Sequence, residues 1–310
     1  MIITLTMNPA LDRTVSLPEP LAVGDVQPAT SIREDAAGKG VNVAHVLTAA
    51  GDEVRAVLPL DPTDPYGALL TGVERVVVPI TGHARANLTI TDPAGETTKL
   101  NLPGPRLGPS AADALIDAVV TASEGTTWLA LCGSLPPGAG DDFYVRVIEA
   151  VRARLETPPL IAVDTSGPVL THTVAHGRPD LIKPNEVELA ELAGVAVTSD
   201  LAEVAAAARV VVPAQAAAAL VTLGGAGALL VDASGVQHAA IPPNVRVRST
   251  VGAGDSSLAG YLHAHVAGAA SGEALVSAVR HGSATASLPG TRLASPGDLP
   301  TGDVALSRLP

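Results

Sequence analysis

Short apolar runs alternate with stretches of helical periodicity along most of the chain. Ile2 to Leu5, Val54 to Leu60, Trp128 to Leu131, Leu160 to Val163 and Leu181-Ile182 carry few polar side chains, as strands buried on both faces do. Between them, apolar residues recur at helical spacing: Phe143, Val147, Ile148, Val151 and Leu155 fall on one helix face. Strand and helix in alternation predict an α/β fold, a mostly parallel sheet covered by helices on both sides. Two segments, approximately residues 12–34 and 85–101, do not share that rhythm. In the second, Ala86, Leu88 and Ile90 alternate with Asn87, Thr89 and Thr91 before a turn at Asp92-Pro93-Ala94-Gly95, the pattern of a hairpin with one wet face. Both segments are assigned to a small β-sheet beside the main one. If residues 91 and 96 pair across the turn, Lys99 lies on the face opposite Arg85; a one-residue bulge reverses that placement.

Composition narrows the class without choosing the chemistry. The chain has 310 residues, 47% apolar and 16% charged, enough for one large globular domain. Its net charge of −12, with Lys39, Lys99 and Lys183 as the only lysines, argues against nucleic acid and anionic membrane as partners. An anionic substrate must then be met by a local cluster of cations and helix N-termini. The lone Cys132 excludes an internal disulfide and sits in an apolar strand, where it reads as packing. Val210 to Val231 carries no charge over a bilayer-spanning length. Pro213, Gln215, Thr222 and the Gly224, Gly225, Gly227 cluster interrupt it, so it reads as a buried core segment ending in strand, glycine turn and strand. The N-terminus lacks a basic leader and its apolar run stops at Asn8-Pro9, which leads us to expect a cytoplasmic protein.

The chemistry-bearing stretches are glycine turns that open helices. Thr250-Val251-Gly252-Ala253-Gly254-Asp255 runs into an apolar helix; such a turn lets backbone N–H groups crowd an anion, and the helix N-terminus favours negative charge. Asp255 would oppose that anion unless it accepts a proton from an attacking hydroxyl while the turn holds a phosphoryl group. A second turn, Ala37-Gly38-Lys39-Gly40-Val41-Asn42, also opens a helix but lacks the spacing of a Walker A loop.

These two motifs, in this order, resemble the PfkB (ribokinase-like) carbohydrate kinases. Thr6-Met7-Asn8-Pro9-Ala10-Leu11-Asp12, Gly133-Ser134-Leu135-Pro136-Pro137-Gly138, Val163-Asp164-Thr165-Ser166-Gly167 and Lys183-Pro184-Asn185-Glu186-Val187-Glu188-Leu189 extend the likeness over nearly the whole chain. Within the family it is most similar to the 1-phosphofructokinase and tagatose-6-phosphate kinase branch. The resemblance implies a ribokinase-like three-layer αβα sandwich, in a single domain over residues 1–310, with the two irregular segments as a β-sheet lid. It also implies ATP and Mg²⁺, and a homodimer whose lids cover each other's apolar face.

Carried over position by position, the resemblance makes Asp255 the catalytic base and the amides of Gly252, Ala253 and Gly254 the anion hole. It places the sugar against Asp12, Gly38, Lys39, Asn42, Arg85 and Ser134. Lys183, Asn185, Thr222, Gly224 and Gly227 would meet the nucleotide. Glu188, three residues beyond Asn185 and on the same helix face, would organise the metal, through water. Three departures concern the substrate's own phosphate. The branch carries Thr-Arg-x-Asn-x-Lys on the lid strand, where this chain has Ala84-Arg85-Ala86-Asn87-Leu88-Thr89; Thr98-Lys99-Leu100-Asn101 replaces Thr-Glu-x-Asn; and His45 replaces a frequent arginine. Lys39, Arg85 and Arg13 remain as cations for a sugar phosphate. A kinase of an unphosphorylated sugar or nucleoside, and a catalytically silent binding relative, stay open at this point.

Overall fold

The computed structural model describes residues 1–242 and 245–309. In chain order its elements are β1 (Ile2–Thr6), β2 (Ala10–Ser16), β3 (Ser31–Ala37), α1 (Lys39–Ala50), β4 (Val54–Leu60), α2 (Tyr66–Leu69), β5 (Glu74–Pro79), β6 (Arg85–Thr91), β7 (Thr97–Asn101), α3 (Pro109–Ala122), β8 (Trp128–Cys132) and α4 (Phe143–Arg154). There follow β9 (Leu160–Asp164), α5 (Gly167–Gly177), β10 (Leu181–Ile182), α6 (Glu186–Ala193), α7 (Leu201–Val211), β11 (Ala219–Thr222), β12 (Ala228–Asp232), β13 (Gly235–Ala239), α8 (Ala253–Val266), α9 (Ser271–Ala286) and β14 (Leu306–Leu309).

A ten-stranded sheet in the order β14-β13-β12-β11-β10-β9-β8-β1-β4-β5 forms the middle layer. It is parallel from β5 to β11 and antiparallel from there to β14. Side chains leave a strand on alternate faces, so each inner strand feeds two cores. Ile3 and Leu5 of β1 pack with Leu115, Val147, Leu170, Leu189 and Val204 of α3 to α7. Ile2 packs on the other side with Val43, Leu258 and Leu275 of α1, α8 and α9. The result is the expected three-layer α/β sandwich of the ribokinase type. The segment 210–231 is the end of α7 and the buried β11–β12 hairpin, and no helix among the described residues is long and apolar enough to cross a membrane. Ala216 to Ala218 lie in the loop before β11, and Ala219 is the first residue of that strand.

The two irregular segments form a second sheet, β3-β2-β6-β7. Asp12 lies within β2, paired with Asp35 of β3 and Asn87 of β6. The hairpin register also departs from the expectation. Thr91 pairs with Thr97, and Thr89 therefore pairs with Lys99. The cause is local: Asp92 N–H donates to Glu96 O, Gly95 N–H donates to Asp92 O, and Gly95 takes φ 87°. Those contacts leave Pro93-Ala94-Gly95 as a three-residue turn ending in a left-handed glycine. Lys99 thus shares the face of Arg85, Asn87 and Thr89.

Candidate active site

The carboxyl ends of β1, β8, β9, β10 and β11 open onto the N-termini of α1 and α8, where ligands of open α/β sheets bind. At the mouth of α8, Gly252 adopts φ 74° and caps the helix, a conformation that a side chain would strain. The first turn leaves amides without intrahelical acceptors, next to Asp255. That residue is 7% exposed, and its Oδ2 accepts a 2.7 Å hydrogen bond from Asn42 Nδ2 of α1. Burial, reinforced by the nearby Asp164 and opposed by Lys39, Asn42 and Lys183, raises its pKa to about 6. The group is a stronger base than a solvated aspartate.

Asp164, fully buried at the end of β9, holds the cations of the site. Lys39 Nζ donates to its Oδ1 at 2.7 Å, and Lys183 Nζ lies 3.2 Å from its Oδ2. Burial works against its charge, but Lys183 and Lys39 outweigh it and hold the carboxylate below its ordinary range. Burial likewise disfavours the Lys39 ammonium, yet Asp164 and Asp255 hold its pKa above the ordinary value. A Cβ on Gly254 would stand 3.1 Å from Lys183 Nζ, so a side chain there would press on the lysine at the helix mouth. Sequence reading gave Asp164 no role. One aspartate ending an apolar strand looks like many others, and its first partner is 125 residues away.

Beyond α8 lies a cleft of about 600 Å³ lined by Asn185, Thr222, Gly224, Gly227, Ala253 and Gly254. All five residues assigned from sequence to the nucleotide are therefore near one another: four line the cleft, and Lys183 meets Gly254 at its edge. The far wall is apolar, from Ile241, Val245, Val247, Val279 and Ala286, an environment for a flat heterocycle that sequence reading did not find. Asn185 and Glu188 form a capping box: Asn185 Oδ1 accepts from the amides of Val187 and Glu188, and Glu188 Oε2 accepts from Asn185 N–H at 2.9 Å. Their spacing thus starts α6. The Glu188 charge still reaches Lys39, and carboxylate oxygens are of the type that a hard, hydrated dication takes, although among the described residues no group of three or more His, Cys, Asp or Glu is gathered that could hold a metal ion.

The small sheet faces the other side of this cluster, because β2 and β3 leave it at Pro9-Ala10 and return at Ala37-Gly38, the N-cap of α1. Asn87 Nδ2 donates to Asp12 Oδ1 at 2.8 Å, while Asn87 Oδ1 and Arg85 Nε are buried without a protein partner. Such groups cost free energy unless a ligand or water meets them. Burial raises the Asp12 pKa against the pull of Asn87 and Arg85. Ser134 follows β8 and accepts from Asn8 Nδ2 at 3.2 Å. One of the sequence-marked cations falls away: Arg13 leaves on the opposite face and pairs with Glu34. His45 is half-buried, and burial pushes its pKa down.

Comparison with known proteins points to one family. The chain is 36% identical over 274 residues to the 1-phosphofructokinase of Rhodobacter capsulatus, covering 86% of this chain and 84% of that protein. It is 33% identical over 295 residues to the ATP-dependent 6-phosphofructokinase isozyme 2 of Mycobacterium tuberculosis, covering 91% and 82%. Among solved structures, phosphofructokinase-2 from Escherichia coli in complex with substrates and products superposes with a TM-score of 0.87 at 30% identity over 96% of both chains. The ribokinase of Arabidopsis thaliana, at TM-score 0.73 and 20% identity, shares the fold. The profile of the pfkB family carbohydrate kinases matches residues 3–297, and the chain belongs to that family.

Proposed function

We propose that this protein is a cytoplasmic ATP-dependent kinase of a hexose phosphate, of the 1-phosphofructokinase or tagatose-6-phosphate kinase type. The observation that carries the reading is the buried Asp255, bonded to Asn42 between an anion-accepting helix mouth and a polar sheet face with orphaned donors and acceptors. In this reading the sugar lies between the small sheet and α1. Asp12, Asn87, the Gly38 backbone and Ser134 pair with its hydroxyls, and ATP fills the cleft beyond α8 with its γ-phosphate at Gly252-Ala253-Gly254. Asp255 takes the proton from the acceptor hydroxyl as its oxygen bonds to the γ-phosphorus. The bond from that phosphorus to the β–γ bridging oxygen breaks, and ADP leaves with the electron pair. Lys39, Lys183 and the α8 amides offset charge on the transferring oxygens, which is the larger share of the work in such a transfer. Glu188 would help to organise Mg²⁺ through water, and the ion would neutralise the phosphates when bound.

The small sheet would act as a lid over the sugar. Its other face carries Val15, Ile32, Leu88, Ile90 and Leu100, with Ile32 63% exposed. A second copy of the chain laid face to face would cover that surface, as a homodimer. The direct test is ATP consumption with fructose 1-phosphate, fructose 6-phosphate, tagatose 6-phosphate, fructose, ribose and adenosine. A kcat/KM at least about tenfold higher for one phosphosugar than for every unphosphorylated acceptor supports the reading. Preference for an unphosphorylated acceptor, or no ADP with any, overturns it.

A further inference from the structure

Tyr66 opens the single-turn helix α2 and is fully buried, in the core cluster that includes Val41, Leu47 and Leu58. A buried phenol needs a partner for its hydroxyl. This one finds it where the small sheet returns to the main body: Tyr66 Oη donates to Ala37 O at 2.9 Å. Burial, with Asp12 and Asp64 nearby, pushes its pKa up, so the group remains a donor. Its backbone is fixed as well. Asp64, 8% exposed, accepts from Tyr66 N–H at 2.8 Å through Oδ1 and from Ala84 N–H at 2.5 Å through Oδ2. One short segment therefore holds two of the chain crossings between the sheets, the return at Ala37-Gly38 and the entry to β6 at Ala84-Arg85.

Ala37 O is one half of a peptide group whose other half is Gly38 N–H. Among the described residues the only cis peptide is Val212-Pro213, so this bond is trans and planar, and its C=O and N–H point in opposite directions. A carbonyl held against Tyr66 in the core turns the Gly38 N–H away from the core. Gly38 cannot fix that orientation itself. It adopts φ 139°, and a Cβ there would stand 2.7 Å from Thr6 Cγ2, so the position must stay glycine, the residue whose backbone is least restrained. Gly38 O in turn accepts from Asn42 N–H at 2.8 Å in the first turn of α1, and the Asn42 side chain holds Asp255. We propose that Tyr66 is a positioning residue for the phosphoryl acceptor: its hydroxyl locks the Ala37-Gly38 peptide so that Gly38 N–H faces a sugar hydroxyl. The proposal rests on the placement of the sugar against the Gly38 backbone given above, and deepens it by naming what holds that backbone still. The hydroxyl, buried behind the peptide, acts only through it.

The test is steady-state kinetics of Tyr66→Phe, which deletes the hydroxyl and keeps the ring, with the acceptor that the wild type prefers among fructose 1-phosphate, fructose 6-phosphate, tagatose 6-phosphate and fructose. Val73→Ala, a truncation in the same core, serves as a control that lowers stability without removing a hydrogen bond. Tyr66→Phe is expected to raise the KM for the acceptor about threefold to tenfold while the KM for ATP changes less than about twofold. It should also blunt the rise in melting temperature that a fixed concentration of the acceptor produces. Val73→Ala should lower the melting temperature of the free protein and leave both the acceptor KM and that rise as in the wild type. An acceptor KM raised less than about threefold in Tyr66→Phe, an equal rise in the KM for ATP, or the same rise in Val73→Ala, overturns the proposal. A wild-type preference for unphosphorylated fructose overturns the hexose-phosphate reading and leaves this test intact, read with fructose; a wild type that forms no ADP with any of the four overturns both.

Discussion

The two walls of the site handle charge in opposite ways. On the main sheet, Asp164, Lys39, Lys183 and Asp255 are packed together and neutralise one another before any substrate arrives. On the small sheet, Arg85 and Lys99 have no ion-pair partner among the described residues. The first arrangement is preorganised, so that little reorganisation is needed when charge develops. The second leaves its electrostatics uncompensated, which suits a surface that must let substrate in and product out. Substitutions on the main sheet should therefore act on turnover and stability, and those on the small sheet on KM.

The largest effect is expected at the base. Asp255→Asn should lower kcat by about a hundredfold or more with ATP binding nearly unchanged, measured by coupled assay and nucleotide titration. The same substitution should stabilise the fold at pH 7. The native pKa of this carboxyl is raised to about 6, so its stabilising contribution is present when protonated and lost as pH rises through that value. Removing the charge recovers on the order of 1–3 kcal/mol, read as a higher melting temperature. For the wild type, kcat/KM should fall as pH drops below about 6, as Asp255 takes up its proton.

Next comes the buried counterion. Asp164→Ala strips Lys183, 6% exposed, of its ion pair and should cost about 3–5 kcal/mol in denaturant unfolding. Adding Lys183→Met should recover part of that loss without restoring activity. Arg85→Ala, on the other wall, should leave the melting point nearly unchanged and raise the phosphosugar KM by about tenfold to a hundredfold. An equal fall in stability would erase the contrast between the walls. The smallest effect is assigned to Glu188→Gln, which keeps a side-chain oxygen for the cap of α6. Its activity should fall several-fold and recover in part as Mg²⁺ is raised; a loss indifferent to Mg²⁺ would leave Glu188 only its capping role.

The fold was legible because the apolar runs fix which strands are buried. On the main-sheet half of the site, Gly252, Gly254 and Asp255 read as an anion-accepting turn with a base, whereas Gly38 and Asn42 took their expected roles from the order of motifs that resembles the pfkB kinases, since such residues are common in ordinary turns. Asp164 was hidden because its meaning lies in two lysines brought to it by the parallel sheet, not in its neighbours along the chain. The apolar wall formed by Val245, Val247 and Val279 reads like any core segment until the cleft beside it is seen. Lys99 was misplaced by one residue of turn: Asp92-Pro93-Ala94-Gly95 looks like a four-residue connection, and the left-handed Gly95 makes it three. In a strand, that single step moves a side chain to the other face.

The buried Cys132 gives the enzyme a built-in clock. It ends β8, pairs across the sheet with Thr6 and Asp164, and is buried, with its thiol pKa pushed well up by that burial, so the folded molecule should resist alkylating reagents. Labelling then proceeds only as fast as the carboxyl edge of the sheet opens. Since this is the chain's single cysteine, the rate of one chemical event, followed with and without nucleotide, times how tightly bound substrate locks that edge shut.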